Sequence, residues 1–248
     1  MATLAANAAV TQFDASRHAT FTLSAGNTVQ EWRSVRTGAT LIPLHGASNG
    51  WDSAVVSHGA RLAVSFIANG SAIPSPLSFG ENNDTPVSTV FAVVKCAAPA
   101  RLSTLLDTPV DVRTTAKPSL LPSWAFPTEQ LGNTVEYRIN GAATSDFTPS
   151  SAYQLVEARF PSPLELSDIF IGGSIPSPLW KRNWRGEIAE LLFFPMTPSP
   201  EQRNALHHYL SRKWGVPAPY SHSHASPALL ASLGISTGDI FNTAIIVR

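Results

Sequence analysis

Charge and sulfur are scarce in this chain. Only 14% of its 248 residues are Asp, Glu, Lys or Arg, against roughly a quarter in an average globular domain. The 17 basic and 17 acidic residues cancel, which argues against nucleic acid or an anionic membrane as the main partner. Cys96 is the only cysteine, so an intrachain disulfide is excluded. Its place at the end of an apolar run predicts a buried, inert thiol. No stretch approaches the roughly 18 consecutive apolar residues of a membrane helix. The first residues, MATLAANAAVTQFD, lack the basic segment and longer apolar run of a signal peptide, so none is expected. Also missing are Gly-x-Ser-x-Gly and Gly-x-x-x-x-Gly-Lys, which removes two common catalytic and phosphate-binding grammars.

What the chain has is hydrophobic residues, 44% of the total, with 20 prolines and 15 glycines. That is enough for a real core in a loop-rich β protein. Short strand patterns recur between turn signals: Thr20–Leu23, the near-alternating Val29, Trp32 and Val35, Arg61–Ile67, Leu102–Leu106, Val135–Ile139, Tyr153–Phe160 and Ile169–Ile171. Val87–Lys95 is apolar enough to lie centrally in a sheet. Asn140-Gly141 after Val135–Ile139 predicts a hairpin turn. Pro-Ser-Pro-Leu occurs at 74–77, 161–164 and 176–179; the irregular spacing marks strand-opening turns and not a repeat. This pattern predicts a β-sandwich or jelly roll.

The most fully punctuated stretch is Asn183–Val216. Glu187–Phe194 reads as a strand ended by Pro195. Ser199, Pro200 and Gln202 spell a capping box with proline at the first helical position. One amphipathic helix over about 200–214 follows, with Leu206, Tyr209, Leu210 and Lys213/Trp214 on its apolar stripe. Arg203, His207 and Arg212 fall largely off that stripe, and the His207-His208 pair is expected at the surface. Gly215 closes the helix and Pro217 prevents its continuation. The chain thus divides into an amino-terminal arm (1–12), a central domain (13–216), and a linker and docking tail (217–248) too short for its own core.

These residues carry a resemblance. Gly186-Glu187-Ile188-Ala189-Glu190, Ser199–Arg203 and Tyr209-Leu210-Ser211-Arg212-Lys213-Trp214-Gly215 resemble the carboxy-terminal signature of bacterial and phage concanavalin A-like (laminin G-like) jelly-roll domains. Phe13–Ser16, Gly26-Asn27 with Val29 and Trp32, Thr89–Lys95, Asn140–Ala142 and Ile171–Gly173 follow in the same order, so the likeness spans about 13–216. Arg33 departs from it, since such domains often carry an acidic residue after the tryptophan. The resemblance implies an all-β jelly-roll β-sandwich, one sheet concave, and often glycan or surface binding.

Some proteins of this fold class cleave glycans with a Glu-x-Asp-x-x-Glu strand. Here Ala189 occupies the middle aspartate's place, and the odd separation of Glu187 and Glu190 predicts opposite faces of a regular strand. Retaining hydrolysis needs two carboxyls about 5 Å apart on one side of the sugar. The expectation is therefore no catalysis, with one glutamate exposed and the other paired, with Arg185 as the candidate partner. Trp51, Trp124, Trp180, Lys181 and Arg182 are the candidate ligand residues, since aromatic rings and Arg suit a binding rim. Trp184 is expected to plug the core beside Trp214. Asn82, Asn83, Asp84 and Asp107 supply the hard oxygens a calcium ion takes, although Asn and Asp also make turns. His222 and His224 read as solvated linker residues.

The resulting expectation is a non-catalytic, carbohydrate- or surface-binding module of a phage or phage-like particle. It would be virion-borne or extracellular, oligomeric or particle-bound, and docked on neighbouring subunits through its arms. The alternatives are a glycan-cleaving jelly roll and a purely structural assembly protein.

Overall fold

A computed structural model describes residues 10–44, 53–58, 61–67, 75–79, 83–96, 105–107, 135–144, 150–173, 184–217 and 227–235. Two antiparallel sheets face each other. The first contains β1 (Thr11–Asp14), β5 (Ala54–His58), β6 (Arg61–Ser65), β8 (Pro86–Cys96), β10 (Glu136–Ile139), β11 (Ala142–Thr144), β12 (Ser150–Glu165) and β14 (Glu187–Phe194). Its order is β11-β10-β12-β8-β14-β6-β5, with β1 also paired to β14. The second contains β2 (Phe21–Leu23), β3 (Val29–Arg33), β4 (Thr40–Pro43), β7 (Leu77–Phe79), β9 (Leu106–Asp107) and β13 (Phe170–Ile171). Its order is β2-β3-β4-β7-β13-β9. The all-β sandwich expected from the sequence is present.

β8 lies between β12 and β14, in the central position that its composition predicts. Its residues are buried on both faces because each face has its own core. Val90, Ala92 and Val94 point between the sheets, where Ile188, Leu191 and Phe193 of β14 meet Trp32, Leu41, Leu77 and Phe79. Rings interlock there edge to face, with centroids 5.5 Å apart for Phe13–Trp32 and 5.4 Å for Phe79–Phe193, a favoured aromatic arrangement. Phe91 and Val93 point the other way, with Leu192 and Phe194, into a second core beneath the helices.

That outer core is closed by α1 (Pro200–Trp214). The Ser199 side chain accepts from the Gln202 backbone while the Gln202 side chain accepts from the Ser199 backbone, and Gly215 closes the helix at φ 72°. Positive φ is where glycine has no steric cost. Leu206, Tyr209, Leu210 and Trp214 are buried as the spacing predicts, and so are Ala205, His207 and Lys213. His207 is a correction: it is 1% exposed, because the second core wraps further around the helix than the apolar stripe alone indicates. Trp184 and Trp214 are both buried but lie in different cores, on opposite faces of the first sheet.

The segment boundaries also shift. Val10, Thr11 and Gln12, assigned to a loose arm, are buried, and Thr11 and Gln12 already belong to β1. In the tail, α2 (Pro227–Ser232) folds back so that Leu230 and Ile235 enter the outer core beside Val10. The Asn140-Gly141 turn is borne out: both residues have positive φ (49° and 81°) and Ile139 pairs with Ala142, as a tight hairpin requires. Of the Pro-Ser-Pro-Leu motifs, the described part of the first, 75–77, leads into β7 at Leu77. The motif at 161–164 instead lies inside β12, in the irregular register between Arg159 and Leu164. The third is outside the described residues. Among the described residues no helix is long and apolar enough to cross a membrane.

Candidate functional site

β14 is where the candidate chemistry sits, and its pairing overturns a simple parity argument. Glu187 faces Lys95 and Ile188 faces Val94, but the next paired residue, Glu190, faces Val93. Ala189 is thus an extra residue, a bulge that shifts the side-chain alternation by one. It falls where the neighbour of β14 changes, from β6 (Val64 opposite Ile188) to β1 (Asp14 opposite Glu190). Glu187 and Glu190 therefore lie on the same face, towards α1, and not on opposite faces.

Neither glutamate is open to a sugar. Glu187 is 5% exposed, and its carboxylate takes Lys95 Nζ at 3.0 Å and the Tyr153 hydroxyl at 2.7 Å. Arg185, the expected partner, is instead exposed. Gly186, just before Glu187, permits the close strand approach: a Cβ there would stand 1.9 Å from the Lys95 carbonyl oxygen. Burial first, then the Glu187 hydrogen bond and charge, push the Tyr153 hydroxyl well above its ordinary range.

Glu190 has no exposure at all. Trp214 Nε1 donates to Glu190 Oε2 at 2.7 Å, Gln12 Nε2 to Oε1 at 2.7 Å, and the Tyr209 hydroxyl to Oε1 at 3.2 Å. Lys213 Nζ lies 2.7 Å from Glu190 Oε2 and 2.5 Å from Asp14 Oδ2. Asp14 also accepts from the Ser16 backbone at 3.0 Å and hydroxyl at 2.6 Å, and pairs with Arg17 at 3.3 Å. Burial raises the Glu190 pKa above the usual carboxylate range; Lys213 opposes that shift and the Asp14 charge adds to it. The Tyr209 hydroxyl is raised well above its usual value by burial and by the Glu190 and Asp14 charges.

A third buried acid, Glu157 of β12, holds the other end of the helix. Arg203 Nε lies 2.9 Å from its Oε1 and His207 Nε2 lies 3.2 Å from its Oε2. His207 also sits edge-on to Phe91, with centroids 5.8 Å apart. The outer face of the first sheet is thus a set of clamps for α1. Buried carboxylates must be paired and hydrogen-bonded to be tolerated, and all of these are. One sequence signal points to them: Asp14, Glu190, Tyr209, Lys213 and Trp214 all fall in the blocks Phe13–Ser16, Gly186–Glu190 and Tyr209–Gly215 singled out above.

The opposite face of the sandwich is exposed around β2, β3 and β4, whereas Ser78 and Phe170 on the same face are each 8% exposed. On the second sheet Trp32 and Leu41 point inward, so Glu31, Arg33, Thr40 and Ile42 alternate outward. Thr22 faces Glu31 across strands, and its hydroxyl donates to the carboxylate at 3.2 Å. Arg33 is exposed opposite Thr40, and Ile42 is 41% exposed.

The predicted ligand residues Trp51, Trp124, Trp180, Lys181 and Arg182 lie outside the described residues, as do Asn82, His222 and His224. Asn83 is half-buried and Asp84 exposed. The Asn83 carbonyl accepts from the Ser167 backbone at 3.1 Å, in the short turn that leads to β13. Asp107 pairs with Phe170 at that same end of β13. Gly172, where the chain leaves β13 towards 174–183, bonds to Leu105 on the other side. The calcium candidates Asn83 and Asp107 are thus both tied by backbone to 167–170, through Ser167 and Phe170. Among the described residues no group of three or more His, Cys, Asp or Glu side chains comes together to hold a metal. Cys96 is buried, as predicted. Burial pushes its thiol up to about 11, and its Sγ donates to the Arg185 carbonyl at 3.3 Å. No family model, curated protein or solved structure matches this chain.

Proposed function

We propose that this chain is a non-catalytic, concanavalin A-like jelly-roll module that binds a glycan-bearing surface through the outer face of its second sheet. The observation that carries the reading is the fate of the strand acids. Glu187 and Glu190, the pair nearest to a hydrolase motif, are buried and taken up by Lys95, Tyr153, Lys213 and Trp214. The first sheet's outer face is occupied by α1. That leaves the second sheet, whose Thr22, Glu31, Arg33, Thr40 and Ile42 mix hydrogen-bonding groups with one apolar side chain. A sugar needs such a surface, since it presents both hydroxyls and C–H faces.

A glycan array probed with the purified chain tests this. Retention on at least one glycan class is expected, with about tenfold weaker binding for Arg33→Ala if one charge-assisted hydrogen bond is lost. Absence of binding by the wild-type chain across the array would sink the proposal. The low charge and the terminal segments favour a place in a phage or phage-like particle. Recovery of the chain from purified particles, with loss of attachment on removing 217–248, is the matching expectation.

A further inference from the structure

Lys213 is held between two carboxylates and largely shut off from water. Its Nζ lies 2.5 Å from Asp14 Oδ2 and 2.7 Å from Glu190 Oε2, and the three side chains are 7%, 2% and 0% exposed. An amine, a carboxyl and a second carboxyl able to pass protons are the requirements for forming an amide between side chains. We propose that Lys213 and Asp14 condense to an intramolecular amide that ties β1 covalently to the last turn of α1, with Glu190 relaying the proton.

The step balances without any co-reactant. A proton first passes from the Lys213 ammonium to the Asp14 carboxylate, giving an amine and a carboxylic acid. The nitrogen lone pair then forms the C–N bond at Asp14 Cγ. Oxygen Oδ1 carries the developing negative charge, facing the Ser16 backbone N–H at 3.0 Å and the Ser16 hydroxyl at 2.6 Å. Glu190 takes a proton from the nitrogen and delivers one to Oδ2, and the C–O bond breaks as water leaves. Nothing is oxidised or reduced.

Three surrounding features favour the step. Trp214 Nε1, Gln12 Nε2 and the Tyr209 hydroxyl fix the Glu190 carboxyl by contacts of 2.7, 2.7 and 3.2 Å. Burial raises its pKa, so it holds a proton more readily than an exposed glutamate. Exclusion of water disfavours the reverse hydrolysis. The other buried ion pairs lack this combination. Lys95 is 23% exposed beside the single carboxylate of Glu187, and Arg203 presents a guanidinium to Glu157, which is a poor nucleophile.

Mass spectrometry of the denatured full-length chain tests the proposal directly. The expected mass is one water below that of the sequence, after allowing for any loss of the initiator Met. Trypsin should release a branched peptide joining residues 1–17 to 213–248, because an acylated Lys213 is not cleaved. Lys213→Arg should show the full sequence mass, and so should Glu190→Gln. A wild-type chain with the sequence mass, giving separate peptides 1–17 and 214–248, overturns the proposal. A missing water without the branched peptide overturns it too, since cyclisation of an aspartate alone loses the same mass. The branched peptide in Glu190→Gln would overturn the relay assigned to Glu190.

Discussion

At the scale of single residues, the cost of burying charge decides what Asp14, Glu190 and Lys213 do. A carboxylate without exposure is tolerated only with a cation and donors around it. Replacing Lys213 by Met keeps the stem's packing but removes both the cation and any amide to Asp14, and leaves Asp14 and Glu190 buried without it. The expected loss is about 3–5 kcal/mol in urea unfolding, far more than an exposed ion pair such as Arg159–Glu136 would show on losing one partner. Glu190 should leave a signature in pH. Its folded pKa lies above the ordinary 4.5, so the folded state holds that proton more tightly than the unfolded chain. The stability it contributes is fully present below about pH 4.5 and is lost as pH rises through the folded value. Urea midpoints of wild type and Glu190→Gln measured from pH 4 to 8 should therefore shift in favour of the variant as pH rises. A constant difference would contradict the direction of the shift. Much of this was hidden in the sequence. Two residues between Glu187 and Glu190 mean opposite faces in a regular strand, and only the pairing with β8 and β1 shows that Ala189 is a bulge. His207 likewise reads as surface until Glu157, fifty positions earlier, is brought beneath it.

Among the elements, α1 and the glycine before β14 carry separate tests. Ser199→Ala removes a cap from an exposed helix start and should cost about 1 kcal/mol, read as a lower urea midpoint with helix content kept. Gly186→Ala should cost more, because the added Cβ would meet the backbone carbonyl of Lys95 at 1.9 Å. A flexible side chain can give way, whereas a backbone in the central strand pairing cannot without breaking register. If both variants unfold at the same denaturant concentration, the close approach at Gly186 matters less than its geometry implies. Elements with local grammar are legible in advance: the capping box and αL glycine of α1, the apolar run of β8, the Asn-Gly hairpin. The short strands β4, β5 and β7 are not, because three to five residues gain their stability from partners far along the chain.

In the whole molecule, one sheet with a core on each face explains why the central strands lack polar alternation. It also divides the tryptophans, with Trp32 and Trp184 between the sheets and Trp214 beneath the helix. Val10, Leu230 and Ile235 belong to the outer core, so segments on either side of 13–216 pack onto the sandwich. The helical layer covers the side of the sandwich on which the β14 acids lie; the proposed partner surface is the exposed part of the second sheet's outer face, around Thr22, Arg33 and Ile42. The proposal's central claim is that these acids serve packing alone, Glu190 holding the helix and Glu187 tying β14 to β8 and β12, and cleave nothing. Incubating the chain with a panel of polysaccharides and assaying newly formed reducing ends tests it most directly. Retention on a polysaccharide without release of reducing ends is the predicted result. Release that disappears in Glu187→Gln or Glu190→Gln would contradict it.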